Sequence, residues 1–254
     1  MRRIHCSAFW LSLFLAAFSC LASAHDSEPI NTDFASPLAR GAANLNFDTQ
    51  RFRDASDDVA GAIGFEYGIY RRMQFSVGFP LMRHAFVPGD TALGAGNISL
   101  EYRYLLAGGN EKPFAISINP EMEFPTGNPA ITDRSYNAGA AIHLDAHHGD
   151  KIWMHSNWGY ETPVARFIEK EKDFHYAVAG MYELTEKWHP VVEFFGQHDF
   201  TSSLSEAFVA PEVIYSLGEH WEVKGAVPFG TTSSSPTVGV QFRITWKIGG
   251  SERQ

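Results

Sequence analysis

VAGAIGFEYGIYRRMQFSVGFPL, residues 59–81, alternates in character with a period of two on both sides of a short charged turn. Its odd positions Val59, Gly61, Ile63, Phe65, Tyr67 and Ile69 carry the apolar character, and the even ones are Ala60, Ala62, Gly64, Glu66 and Gly68. Past Tyr70-Arg71-Arg72 the apolar set resumes as Met73, Phe75, Val77, Phe79 and Leu81, against Gln74, Ser76 and Gly78. Successive side chains of a strand point to opposite faces, so the stretch reads as one antiparallel hairpin with a greasy face and a polar one.

The same pattern continues outward in both directions. Ile98, Leu100, Tyr102 and Tyr104 oppose Asn97, Ser99, Glu101 and Arg103, and Phe114, Ile116, Ile118, Met122 and Phe124 oppose Ser117, Asn119, Glu121 and Glu123. Near the end Val238, Val240, Phe242, Ile244, Trp246 and Ile248 oppose Gly239, Gln241, Arg243, Thr245 and Lys247. Weaker copies run through 136–147, 151–161, 174–184, 188–197, 206–217 and 221–230, and a first strand is expected near Leu45 to Arg53. That makes about twelve strands, an even number that returns both termini to one side. Connections at Tyr70–Arg72, His148–Asp150, Thr185–Lys187 and Gly218–His220 are short. Those at His84–Leu93, Thr126–Ser135, Thr162–Asp173 and Gln197–Ser205 are longer and rich in Pro, Gly, Asp and Ser. Short and long loops on opposite rims predict an all-β fold, a transmembrane antiparallel up-and-down β-barrel.

Alternation alone does not say which face is inside, since a soluble ligand-binding barrel hides its apolar face. The aromatics decide. On the apolar face Tyr67, Tyr102, Tyr104, Phe114, Tyr182, Trp188, Tyr215, Trp221 and Trp246 gather at the short-turn rim. Phe124, Tyr136, Trp158, Tyr160, Phe174, Tyr176 and Phe229 gather at the other, as two lipid-interface girdles do. Turning the barrel inside out would place Glu66, Glu101, Arg103, Glu121, Glu123, Glu193, Glu212, Glu222, Lys224 and Arg243 in lipid, at roughly 2–4 kcal/mol for each Lys or Arg near the midplane. These ionisable residues are therefore expected to line the lumen, either as ion pairs filling the barrel or as contacts to a passing solute.

The flanking residues fit export. Arg2 and Arg3, the apolar run Phe9 to Leu15 and the small residues Ala22-Ser23-Ala24 follow the order of a secretory signal peptide, with removal expected after Ala24. Phe18 makes the residues before Cys20 a poor lipidation signal. Both cysteines, Cys6 and Cys20, fall in this leader, so the mature chain has no disulfide framework or thiol chemistry. Loss of Arg2 and Arg3 takes the formal charge from −9 to −11, which argues against a nucleic-acid partner. After Ala24 no apolar run approaches the ~18 residues of a spanning helix. The expected organisation is a signal peptide over 1–24, a segment 25–44 that is a periplasmic extension, a plug or disordered, a barrel over 45–248, and a tail over 249–254. The protein is expected in the bacterial outer membrane.

Phe65-Glu66-Tyr67-Gly68-Ile69, a charged turn, and Gln74-Phe75-Ser76-Val77-Gly78-Phe79-Pro80 together resemble the repeating hairpin of the meta-pathway phenol-degradation family of proposed outer-membrane transporters. Gly94-Ala95-Gly96-Asn97-Ile98-Ser99-Leu100-Glu101-Tyr102-Arg103-Tyr104 resembles its glycine-acid strand, and Glu123-Phe124-Pro125-Thr126-Gly127 its Leu-Pro-Thr-Gly strand end. The resemblance extends from about Asn46 to Ile248. It implies an outer-membrane barrel passing small, often aromatic or hydrophobic compounds, with no catalytic residues. One departure concerns partners: Trp246-Lys247-Ile248 is followed by Gly249 to Gln254, whereas the barrel-assembly machinery usually reads a terminal aromatic.

In the hairpin turning near Gly149, His143 is expected opposite His155, with Asp145 and His147 close by, a weak metal-ligand set without a fixing motif. Histidines lining a polar interior are the plainer account, and no metal or other cofactor is assigned. His198-Asp199 with Ser202, Ser203 and Ser205 is the nearest approach to a rim hydrolase, but neighbouring side chains on an extended chain point apart. The leading reading is a non-enzymatic channel for small solutes whose acidic lumen favours neutral or cationic ones, with outer-membrane lipid and the assembly machinery as partners. The alternative is a non-conducting barrel acting through loops 84–93, 162–173 and 197–205.

Overall fold

Backbone pairing gathers the alternating segments into one closed sheet. The computed structural model describes residues 27–53, 59–87, 90–109, 112–129, 132, 135–164 and 172–249. The expected leader over 1–24 and the tail past Gly249 lie outside the described residues. Fourteen strands follow in chain order: β1 Ala43–Arg53, β2 Val59–Tyr70, β3 Met73–Val87, β4 Asp90–Ala95, β5 Ile98–Gly108, β6 Phe114–Phe124 and β7 Asn137–His148. The second half comprises β8 Ile152–Pro163, β9 Asp173–Tyr182, β10 Trp188–Asp199, β11 Leu204–Ser216, β12 Trp221–Ala226, β13 Phe229–Gly230 and β14 Val238–Ile248. All pairings are antiparallel, and β1 closes on β14 over eleven residue pairs, from Ala43↔Ile248 to Arg53↔Val238. Closure pairs the first stave with the last and so removes the two edges of an open sheet, which is the condition for crossing hydrocarbon with strands.

Twelve staves result from the fourteen segments. The lower half of β3 pairs with β5 and its upper half with β4, so β4 and β5 are one stave broken at Gly96-Asn97. Likewise β12 and β13 both lie between β11 and β14, broken at Val227-Pro228, where Pro228 has no N–H to give the ladder. The expected loop from His84 to Leu93 is corrected: β3 runs on to Val87 and returns as β4 from Asp90. Continued pairing of the two arms, from Leu81↔Ala95 to Val87↔Asp90, prevails there over the turn propensity of the residues.

The partition of side chains is inverted relative to a soluble barrel. Glu193 is 0% exposed and Lys224 2%, whereas Val240 is 60% exposed and Leu100, Trp158, Trp188, Phe194 and Phe242 are exposed as well. Burial near 25 cal/mol/Å² would make such a surface untenable in water, and it is stable only against hydrocarbon. Aromatic contacts mark its two rims. Trp221 stacks on Trp246 at 5.6 Å and Trp188 meets Tyr215 at 4.5 Å near the short turns, while Trp158 packs on Phe174 and Tyr176 near the long loops. Tyr104 is exposed on the same face as the first group, and Tyr102 is half-buried there.

Candidate functional site

Of the expected lumen residues, Glu66, Arg103, Glu193, Glu212, Glu222 and Lys224 are buried and Glu101, Glu121, Glu123 and Arg243 half-buried, and most are occupied by an unexpected partner. Residues 27–42 enter the barrel from the short-turn rim, cross the interior and return to the start of β1. The far wall is met stepwise. The Ser27 hydroxyl donates to Glu222, the Ile30 N–H to Glu212 at 3.2 Å, and the Asn31 N–H and amide to Glu193 at 3.0 and 2.6 Å. The Thr32 hydroxyl also donates to Glu193, at 2.8 Å. The segment then reaches β7, where Ala35 and Ser36 N–H groups donate to Asp145 at 2.8 and 3.3 Å, and β3, where the Leu38 N–H donates to Gln74 at 2.8 Å. At Gly68 the backbones touch: Gly41 N–H donates to the Gly68 carbonyl at 2.8 Å, and a Cβ on Gly68 would lie 2.1 Å from the Ala39 oxygen. Only glycine admits that approach.

The inward cations hold the same segment. Arg103, 1% exposed, faces Glu101 at 3.3 Å, Asp33 at 3.7 Å and Glu28 at 3.8 Å. Lys224 donates to the Glu28 carbonyl and faces Glu222 at 3.6 Å; Arg243 pairs with Asp48 and reaches the Pro29 carbonyl at 3.5 Å. Elsewhere the acids take amides. Glu66 accepts from Asn44 at 3.1 Å, Glu123 from Asn97 at 2.7 Å, and Glu101 from Asn119 at 2.7 Å. Glu121 differs, facing only the His175 ring at 4.0 Å among the described residues. The two expected roles, ion-pair filling and solute contact, thus gave way to a third for much of the wall: carboxylates accepting N–H and O–H donors of an inserted segment.

The histidine expectation is corrected by register. The hairpin turns through Gly149, Asp150 and Lys151, so Asp145 lies opposite His155, and His143 opposite Asn157. A turn centred one residue later shifts every partner by two. His155 Nδ1 meets Asp145 at 2.9 Å, and His143 Nδ1 lies 3.1 Å from the Asn119 amide and 3.3 Å from the Phe34 carbonyl. His143, Asp145 and His155 therefore serve the inserted segment, with Phe34 edge-on to His155 at 4.6 Å. No group of three metal-ligating side chains occurs among the described residues. Trp153, unremarked in the sequence pattern, is buried inward between His147 and His155.

At the long-loop rim His198 Nδ1 meets the Ser205 hydroxyl at 2.7 Å, but Asp199 turns away to accept from the Thr201 and Ser202 N–H groups. Among the described residues no acid orients the imidazole, so there the pair lacks the third member of a hydrolytic triad. On the long-loop side of the inserted segment lies a cavity of about 590 Å³. Its walls include Glu101 and Glu121 on one side and the inward rings of Phe52, Phe195 and Phe208 on the other, with Asn31 and Asp33 of the segment as its floor. These three phenyls interrupt the polar lining of the cavity, and none of them is among the residues that the sequence pattern singled out.

The family described as "Putative MetA-pathway of phenol degradation" matches residues 27–248. Among solved structures, an outer membrane channel from Pseudomonas putida F1 is similar with a TM-score of 0.65 at 11% identity, over 84% of this chain and 98% of that one. The KdgM porin is similar at 0.60 and 8% identity, over 80% and 98% of the two chains. The NanC porin is similar at 0.59 and 8%, over 79% and 97%. At such identities the likeness is one of fold. No curated protein matches the chain.

Proposed function

The chain belongs to the family described as "Putative MetA-pathway of phenol degradation", and from that premise we propose that it is an outer-membrane channel for small solutes, closed in this conformation by its own residues 27–42. Supporting that reading above all is the way the segment is held. It forms no extended ladder with the wall, and its ties are mainly side-chain acceptors to single N–H or O–H donors. Each such bond contributes about 0.5–1.5 kcal/mol net, more to a charged acceptor, and water can replace them one at a time. Removing the segment exposes a lumen lined by Glu66, Glu193 and Glu212, which repels anions and admits neutral and cationic solutes.

Export by the leader over 1–24 and insertion by the barrel-assembly machinery belong to the same proposal. The apolar outer belt supports it, since this surface has no other solvent in which to rest. We assign no catalytic role, because the His198–Ser205 pair has no orienting acid. The test is conductance in planar bilayers, comparing the purified protein with a variant lacking residues 27–40. Cation-selective steps, rare in the first and persistent in the second, are expected. Silence from both would leave the non-conducting barrel, a reading favoured by the burial of Glu193 and Thr32 at the segment's contacts.

A further inference from the structure

The cavity above the inserted segment has two walls of opposite chemistry. Phe195 and Phe208 stack at 5.2 Å with an interplanar angle of 20°, and Phe52 meets Phe208 at 5.3 Å. They come from β10, β11 and β1, staves on one side of the barrel. Phe52 reaches Phe208 across β14 because Gly239 has no side chain; a Cβ there would lie 2.5 Å from the Phe52 ring. Phe208 is buried, whereas Phe52 and Phe195 are half-buried, so their ring surfaces border the cavity and are not covered by the inserted segment. Filling alone does not account for apolar rings that face open space, unlike the buried inward cluster of Trp153, Met181, Val191 and Ile214.

Across from these rings stand Glu101 of β5 and Glu121 of β6, on the opposing staves, with Asp33 below. Arg103 is shared among Glu28, Asp33 and Glu101, so one guanidinium serves three carboxylates. Among the described residues Glu121 has no cationic partner but the His175 ring, at 4.0 Å. No Lys or Arg borders the cavity among the described residues. An anion would meet uncompensated like charge there, and a neutral ring would leave the carboxylate wall unanswered.

We propose that this cavity is a binding site for organic cations that carry an aromatic ring, the ring lying against Phe52, Phe208 and Phe195 and the ammonium facing Glu101 and Glu121. Both parts of the ligand are then recognised at once. Ring contacts supply the attraction of offset or edge-on aromatics, and the carboxylates accept charge-assisted hydrogen bonds. The inference deepens the channel reading by naming the solute class, but binding itself requires no conduction.

Calorimetric titration of the full-length protein in detergent tests it, with phenethylammonium as probe and phenylacetate, 2-phenylethanol and butylammonium as comparisons. Phenethylammonium is expected to bind at least about tenfold tighter than each of the other three, the ratio that about 1.4 kcal/mol of charge or ring contact confers. Glu121→Gln should bring its affinity toward that of 2-phenylethanol, and Phe195→Ala toward that of butylammonium. Faster migration of unboiled than boiled protein on a gel confirms folding of each variant. Phenylacetate binding as tightly, no binding of phenethylammonium, or unchanged affinity in both folded variants overturns the proposal. The comparison on unmodified protein decides it even if a variant fails to fold. A protein that conducts but does not discriminate these probes refutes this inference alone; one that discriminates but never conducts refutes only the channel.

Discussion

Glu193→Ala should open the barrel. In the closed state the Glu193 carboxylate is fully buried and accepts from the Asn31 N–H, the Asn31 amide and the Thr32 hydroxyl. The Asn31 amide keeps a second acceptor on Gln241 at 3.0 Å, so truncation orphans chiefly the Asn31 N–H and the Thr32 hydroxyl. An orphaned buried donor costs about 1–3 kcal/mol, and the neighbouring cavity lets some water in, so the closed state should lose roughly 2–3 kcal/mol relative to the open one. That is about a 30- to 150-fold rise in the open-to-closed ratio. Single-channel recording separates this from the simple loss of a lumen charge, because segment release raises open probability whereas a missing charge alters unit conductance and selectivity. Glu193→Gln, which retains one acceptor oxygen, should fall between the two. A folded Glu193→Ala barrel whose open probability matches the parent's would refute the argument, since the segment's hold would then not depend on this acceptor.

Three further outcomes follow from the same coordinates. Gly68→Val forces a side chain onto the Ala39 carbonyl, which overpacking arguments put at about 1–3 kcal/mol; limited trypsinolysis of the folded barrel should then cut after Arg40 faster than in the parent. Arg103→Met leaves Glu28, Asp33 and Glu101 without their common cation, so the reversal potential in a salt gradient should shift toward stronger cation selectivity, and an unchanged potential would show that these carboxylates lie off the conduction path. Phe242→Arg on the exposed face should lower the stability of the barrel in vesicles by roughly 2–4 kcal/mol, measured by urea titration, and a neutral result would mean that this face does not meet hydrocarbon.

The fold could be read because its determinants are local and repeated. Phe65, Tyr67, Phe75 and Val77 state their face within a few residues, and every later hairpin says the same thing again. Where reading failed, a nonlocal contact decided. His84 to Leu93 has loop composition, yet pairing between two arms that were each acceptable strands extended the hairpin past the rim. In β7 and β8 His143, Asp145 and His155 are all buried, but the partner of each depends on whether the turn centres on Gly149 or Asp150. A shift of one turn residue keeps the face and changes the neighbour.

The occupant of the lumen was less legible, because residues 27–42 have no period and their partners lie as far away as Gln241. A signal was nonetheless present in the charge balance. Alternation places more carboxylates than cations inward, and treating each as half of an ion pair leaves Glu193 and Glu212 without mates. An ionised carboxylate accepts hydrogen bonds and donates none, so in a narrow barrel the deficit has to be met by neutral donors: water, amides, or the N–H groups of additional chain. A segment carrying Ser27, Asn31, Thr32 and Ser36 just before the first strand is suited to supply them, since Pro29 and Pro37 discourage regular structure and leave neighbouring N–H groups uncommitted. Counting donors against acceptors on the inward face, in place of charges against charges, therefore distinguishes a lumen that needs an occupant from one that is complete in itself. By that count Glu193 and Glu212 call for the segment, whereas Glu121, which among the described residues has only the His175 ring near it as a donor, is left open to a cation arriving from outside.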